Sequence, residues 1–142
     1  MRSIDVLQYL QNNIWTILIA LTSGAMLFWS FFGNRLRGIK EVDHIAATQL
    51  INHKNALILD VREQGEYDAG HILNSKLIPL GKIAGRTGEL EKYRERPIVV
   101  VCRSGQRSAS ACAFLGKQGF AQAYNLNGGV MAWQKASLPL EK

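Results

Sequence analysis

Ile98-Val99-Val100-Val101-Cys102-Arg103-Ser104-Gly105-Gln106-Arg107-Ser108 decides the fold of this 142-residue chain. Four β-branched residues after Pro97 form an unbroken apolar run, the pattern of a strand buried on both faces of a parallel sheet. A polar loop follows, and Arg107 to Gln118 then reads as an Ala-rich helix closed by Gly119. In open α/β sheets ligands bind where a strand hands over to a helix at its carboxyl end. Several backbone N–H groups converge there and the helix dipole adds positive potential. A cysteine opening such a loop has its thiolate favoured. Gly105 lets the backbone curl, and Arg103 and Arg107 can hold an anion, with Ser104, Gln106 and Ser108 completing the cradle. The bland alternative, that Cys102 is a small buried hydrophobe, does not explain why Arg-Ser-Gly-Gln-Arg-Ser should follow it. Cys112, in the middle of the helix, is explained well as core.

Working outward, Val42 reads as a strand end leading into an amphipathic helix, with Asp43 as its N-cap. Ala56 to Leu59 is a second apolar run, ended by Asp60. Glu63 to Ala69 suggests a short helix stopped by Gly70, and Leu77 to Leu80 a short strand that Pro79 ends. Gly81 to Arg96 has helical content without a clear motif. Tyr124 to Leu126 closes the set of strands, and Val130 to Lys135 forms a terminal helix. Strands alternating with helices imply an α/β domain with a mostly parallel central sheet flanked by helices.

The N-terminal part differs in kind. Residues 14–32 carry no charge, and as a helix they reach about 28 Å, close to the roughly 30 Å of a bilayer core. Trp15 and Trp29 lie towards the two ends, where interfacial aromatic residues belong. A cleavable signal peptide would be shorter and followed by small residues, whereas Phe31-Phe32-Gly33-Asn34-Arg35 follows here. The expected organisation is a tail at 1–13, a transmembrane helix at 14–32, a juxtamembrane linker at 33–41 and a domain at 42–142. Arg35, Arg37 and Lys40 outweigh Arg2, which Asp5 offsets, so the C-terminal domain is expected in the cytoplasm, on a single-pass inner-membrane anchor. The net charge of +6 is scattered rather than gathered into a nucleic-acid-binding stripe. Two cysteines are too few for a disulfide framework and lack metal-ligand spacing, so neither metal nor cofactor is expected and a reducing compartment suits them.

Cys102-Arg103-Ser104-Gly105-x-Arg107-Ser108 resembles the active loop of rhodanese-domain sulfurtransferases. Asp60-Val61-Arg62-Glu63, Glu66-Tyr67 and Gly70-His71-Ile72 are similar to that family's upstream signature. Gly119-Phe120, Leu126, Gly128-Gly129 and Trp133 resemble its closing pattern. The match runs from about Val42 to Pro139, and the anchor makes the chain look like small membrane-tethered members. The resemblance implies that Cys102 takes sulfur from a donor such as thiosulfate as a persulfide and passes it to a thiol or cyanide. The loop N–H groups would stabilise the anions, and Arg103 and Arg107 would bind the substrate. Asp60, Arg62 and Glu66 are expected as support, with Arg62 pairing to Glu66 and Asp60 holding the loop. His71 is expected to be a structural hydrogen-bonding residue, and Phe120 and Trp133 core. Ser75-Lys76 departs from the small residue common there, which touches only a surface turn.

Two rivals share these features. Cysteine-dependent phosphatases and arsenate reductases resembling this fold place the arginine one residue further from the cysteine and put histidine where Val101 stands. A non-enzymatic membrane adaptor could use the fold as a binding module for a membrane protein, although many such domains lack the cysteine.

Overall fold

The computed structural model describes residues 3–142. Met1 and Arg2 lie outside the described residues, and with them the Arg2 charge used above for orientation. The chain divides into two units, residues 1–36 and 37–142.

In the first unit, the expected tail is largely helical: α1 spans Ser3–Asn12. Val6, Leu7 and Leu10 recur at helical spacing among Gln8, Gln11 and Asn12, a short amphipathic pattern. Asn13 interrupts the helix, its side-chain amide donating to the Tyr9 carbonyl at 2.9 Å. The second helix, α2, spans Ile14–Leu36. Its segment Ile14–Gly33 has a mean hydropathy of 1.7 and is exposed along nearly all its length, with the length and apolarity of a membrane span or a signal sequence. The Thr16 and Thr22 hydroxyls donate to the Asn13 and Leu18 carbonyls at 2.7 and 2.9 Å. These two hydroxyls thus find their partners within the helix itself.

The second unit is the α/β domain. Strand β1, Lys40–Val42, falls mostly inside the expected linker. It is an edge strand, so Lys40 and Glu41 keep their polar side chains exposed and hide the strand signal. Helix α3, His44–Lys54, is capped by Asp43, whose Oδ1 accepts from Ala46 N at 2.8 Å. Then come β2 (Leu57–Asp60), α4 (Gln64–Asp68), β3 (His71–Ile72) and β4 (Lys76–Leu77). The strand expected at Leu77–Leu80 lies at Lys76–Leu77; beyond it the Ile78 and Leu80 N–H groups still donate to the Asp60 and Val61 carbonyls at 2.9 and 3.1 Å, on either side of Pro79, which has no N–H to give. The stretch from Leu80 to Tyr93 winds as two 3₁₀ segments. Gly81, Gly85 and Gly88 disfavour a regular α-helix there, and fully buried Leu90 pins the second segment.

Strand β5 (Ile98–Val101), helix α5 (Gln106–Lys117), strand β6 (Ala123–Leu126), helix α6 (Gly129–Lys135) and strand β7 (Leu140–Glu141) complete the domain. The five-stranded sheet runs β1-β6-β5-β2-β4, every pair parallel. Strands β3 and β7 form a separate antiparallel pair. Successive side chains of central β5 point to opposite faces, and both faces are covered. Ile98 and Val100 pack with Leu57, Leu59, Leu90 and Leu115, while Val99 and Val101 pack with Ala47, Leu126 and Trp133. That double burial is why the run is apolar at every position. Phe120, Trp133 and Cys112 are core as expected.

Candidate active site

Strand β5 delivers Cys102 to the carboxyl edge of the sheet, in line with the Ile98 and Val100 face, and leaves it only 1% exposed. The loop turns back at Gly105, whose φ of +102° suits a residue without a Cβ, and enters α5. This curl carries the Gly105 N–H to within 3.1 Å of Cys102 Sγ, and the Ser108 hydroxyl lies 3.3 Å from the same sulfur. Burial pushes the proton affinity of the Cys102 thiol up. Hydrogen bonding from Ser108, Gly105 and Ser104 pulls it down, and the balance lies below an ordinary thiol. Cys112 has no such donors: burial pushes it up to about 12, with Glu41 and Cys102 adding to the effect. The loop thus lowers the proton affinity of one cysteine while burial raises that of the other.

The loop is also fixed from behind. The first turn of α6 donates into it, Val130 N to the Cys102 carbonyl at 2.8 Å and Met131 N to the Arg103 carbonyl at 3.1 Å. For these contacts Gly129 must nestle against the loop backbone. A Cβ there would lie 2.3 Å from the Cys102 carbonyl oxygen and 2.5 Å from that of Arg103. Asn125, on β6, donates from Nδ2 to the Gly105 carbonyl at 3.0 Å, and its Oδ1 meets Ser108 Oγ at 2.5 Å. Asn125 was not singled out in the sequence. The signal was available, since a polar residue in the middle of a short buried strand needs an explanation.

The charged residues pair differently from expectation. Arg62 binds Asp60, not Glu66: Nη2 and Nε lie 2.7 and 3.0 Å from Oδ2, and the Arg62 N–H reaches Oδ1 at 3.0 Å. Residues two apart at the end of an extended strand point the same way, so Asp60 and Arg62 meet. Among the described residues no hydrogen bond joins Asp60 to the Cys102 loop. Arg62 also donates to the Gly70 carbonyl at 2.9 Å, fastening the end of α4. Glu66 instead takes both terminal nitrogens of Arg107 at 2.8 Å each. That hydrogen bonding holds the Glu66 carboxyl down at about 2, against a smaller opposing effect of burial and with help from the Glu63 N–H and further attraction from Arg107 and Arg62. Arg107 is therefore a bridge between α4 and α5 rather than a free anion ligand.

Arg103 is exposed and lines an open cleft of about 410 Å³ with Arg62, Glu66, Val130, Met131 and Gln134. A larger groove of about 730 Å³ runs between residues 37–40 and the Cys112 side of α5, away from the Cys102 loop. His71 stacks on Tyr67 with ring centres 3.7 Å apart, and its two ring nitrogens face the Tyr67 carbonyl at 3.0 Å and Glu141 at 3.3 Å. It clamps β7 against β3 and is not part of the cysteine loop.

A cysteine loop at the edge of a five-stranded parallel sheet invites comparison with known proteins, and residues 45–136 match the rhodanese-like domain family. The chain belongs to the rhodanese-like family. The domain is 38% identical over 103 residues, 72% of each chain, to YibN of Escherichia coli K12, an uncharacterized protein. It is 36% identical over 103 residues to a protein of Allochromatium vinosum named sulfurtransferase, covering 72% of this chain and 94% of that one. Among solved structures, a rhodanese-related protein from Thermoplasma volcanium superposes with a TM-score of 0.63 at 32% identity, covering 72% of this chain and 97% of its own. The rhodanese-like match begins in α3 and ends just past α6, so it includes the Cys102 loop and both layers that fix it, and leaves out α1 and α2.

Proposed function

We propose that this protein is a sulfurtransferase that carries a sulfane sulfur as a persulfide on Cys102. Its N-terminal apolar helix anchors it in the inner membrane with the catalytic domain in the cytoplasm. The observation that carries the reading is the Cys102 sulfur set against the Gly105 N–H at 3.1 Å, in a loop that lowers the proton affinity of its thiol. The thiolate attacks the outer sulfur of a donor such as thiosulfate. A new S–S bond forms, the donor S–S bond breaks, and its electron pair leaves with sulfite. A thiol or cyanide acceptor then takes the outer sulfur and returns Cys102 as thiolate. Loop N–H groups from Arg103 to Ser108 stabilise the thiolate and the persulfide anion alike. Arg103, exposed on the cleft, binds the oxyanion end of the donor; Arg107, held by Glu66, supplies positive field and rigidity instead. Ser104 and Gln106 shape the loop, and Asp60, Arg62 and Glu66 support it from β2 and α4.

The test uses the full-length protein in detergent. Thiosulfate:cyanide sulfurtransferase activity and a mass gain of about 32 Da on Cys102, both absent from Cys102→Ser, are expected from the thiolate chemistry. A folded wild-type protein that takes up no sulfur from thiosulfate or from persulfide donors would overturn the reading and leave the domain a docking module. Retention of the protein in the membrane fraction after alkaline carbonate extraction tests the anchor.

A further inference from the structure

Among the described residues, Ser108 and Asn125 are buried polar side chains that lie against the site without being charged. Asn125 Nδ2 donates to the Gly105 carbonyl, which fixes the orientation of the amide and turns Oδ1 towards Ser108 Oγ. An amide oxygen only accepts, so Ser108 is the donor in the 2.5 Å contact. A hydroxyl has one proton to give. Towards Cys102 Sγ, at 3.3 Å, Ser108 therefore presents lone pairs. The neutral thiol fits this chain in full: S–H donates to Oγ, and Oγ–H donates to Oδ1. A thiolate does not. To receive the Ser108 proton it would leave two acceptors, Oγ and Oδ1, facing each other with no proton between them in a dry interior, and unmade hydrogen bonds of that kind are costly.

We propose that Asn125 is a positioning residue that commands the Ser108 proton and so keeps the Cys102 sulfur more readily protonated than its backbone cradle alone would. This deepens the sulfurtransferase reading and rests on it. The backbone N–H groups draw the thiol down, and Asn125 limits how far. The limit has a chemical use, because the intrinsic nucleophilicity of a thiolate falls with its proton affinity and an attacking thiol works best when it titrates near the ambient pH.

Other charged groups act on this sulfur too. Arg107 of α5 feels the charge of Cys102 and of Asp60 at the end of β2, and is paired with Glu66 of α4. Cys112, further along α5, feels Cys102 and Glu41 of β1. Arg103 follows the cysteine in the loop. None of these is altered in the variants below, so their contributions cancel in the comparison.

The experiment is the pH dependence of Cys102 alkylation by iodoacetamide in the full-length protein in detergent, read on the Cys102 peptide so that Cys112 does not contribute. Asn125→Ala should lower the midpoint by about one pH unit, which is roughly tenfold more thiolate on the acid side. Ser108→Ala alone should leave the midpoint where it is or lower it slightly, and in the Asn125→Ala background it should abolish the downward shift. A midpoint raised by Ser108→Ala would show that the hydroxyl donates to the thiolate and would overturn the proposal. So would an Asn125→Ala protein that titrates like wild type. If Asn125→Ala does not fold, Ser108→Ala alone decides. Alkylation needs no sulfur donor, so a protein that fails the sulfur-transfer test still reports here, and the two failures are distinguishable.

Discussion

Gly129→Ala should damage the cysteine loop through backbone contact alone, with no change in charge or polarity. Gly129 has a φ of +59°, and a side chain in that conformation costs about 1–2 kcal/mol. Its Cβ would lie 2.3 Å from the Cys102 carbonyl oxygen, where real Cβ atoms essentially never come under 3.0 Å, so the two segments must part by at least 0.7 Å. The obstructing atoms are backbone, with no flexible side chain to swing aside. Parting also lengthens the hydrogen bonds from Val130 and Met131 into the loop, each worth about 0.5–1.5 kcal/mol net. The total is roughly 2–5 kcal/mol of stability. The kinetic effect should be larger, since a displacement near 1 Å at a reacting centre can cost about a hundredfold in rate. Urea unfolding gives the first quantity. Sulfur transfer and Cys102 alkylation, measured where both proteins are fully folded, give the second. Gly105→Ala is the control: its φ is +102°, but the nearest atoms, Gly128 N and the Leu126 carbonyl oxygen, are 3.4 Å away, so it should show the conformational cost without the displacement. A Gly129→Ala protein with wild-type stability and rates would refute the account of how α6 fixes the loop.

Two further outcomes follow from the ion pairs. The Glu66 carboxyl is held at about 2 in the folded protein against an ordinary 4.5; a depressed carboxylate contributes stability above its unfolded value and loses it as the pH falls towards its folded one. Glu66→Gln should therefore be less stable than wild type at neutral pH, with the gap closing between pH 4.5 and about 2 in acid-unfolding curves; a gap unchanged across that window would count against the Glu66–Arg107 bridge. Arg62→Ala strands the fully buried Asp60 carboxylate, and removing one partner of a buried pair costs about 3–5 kcal/mol; urea unfolding showing a loss below 1 kcal/mol, the scale of an exposed pair, would contradict the burial described here.

Elements that bury whole faces were the ones visible in advance. Ile98–Val101 and Ala56–Leu59 announce themselves because every position is apolar, and the helix after Cys102 because it is Ala-rich and closed by Gly119. Edge and very short strands escaped. Lys40–Val42 has two exposed polar residues in three, and His71–Ile72 and Leu140–Glu141 are too short for any periodicity. The tail at 1–13 hid a helix whose amphipathic pattern covers barely three turns. The 3₁₀ winding of residues 80–93 was unreadable for a related reason, because scattered glycines weaken helical preference without naming an alternative.

The loop residues from Cys102 to Ser108 were legible because their chemistry is local: a thiol, a glycine and the amides of one helix start stand in consecutive positions, and the covalent chain itself brings them together. Partnership between distant residues was not. That Arg62 turns to Asp60 and Arg107 to Glu66, that Gly129 must lack a side chain to touch the Cys102 carbonyl, and that Asn125 takes the Ser108 proton all depend on how β2, α4, β6 and α6 stack around β5. Sequence spacing sets which residues share a strand face or a helix turn, and so it determined a parallel α/β domain and its cysteine loop. Which hydrogen-bond donor reaches which acceptor across separate elements is settled at distances of about 3 Å, and only the packed tertiary structure decides that.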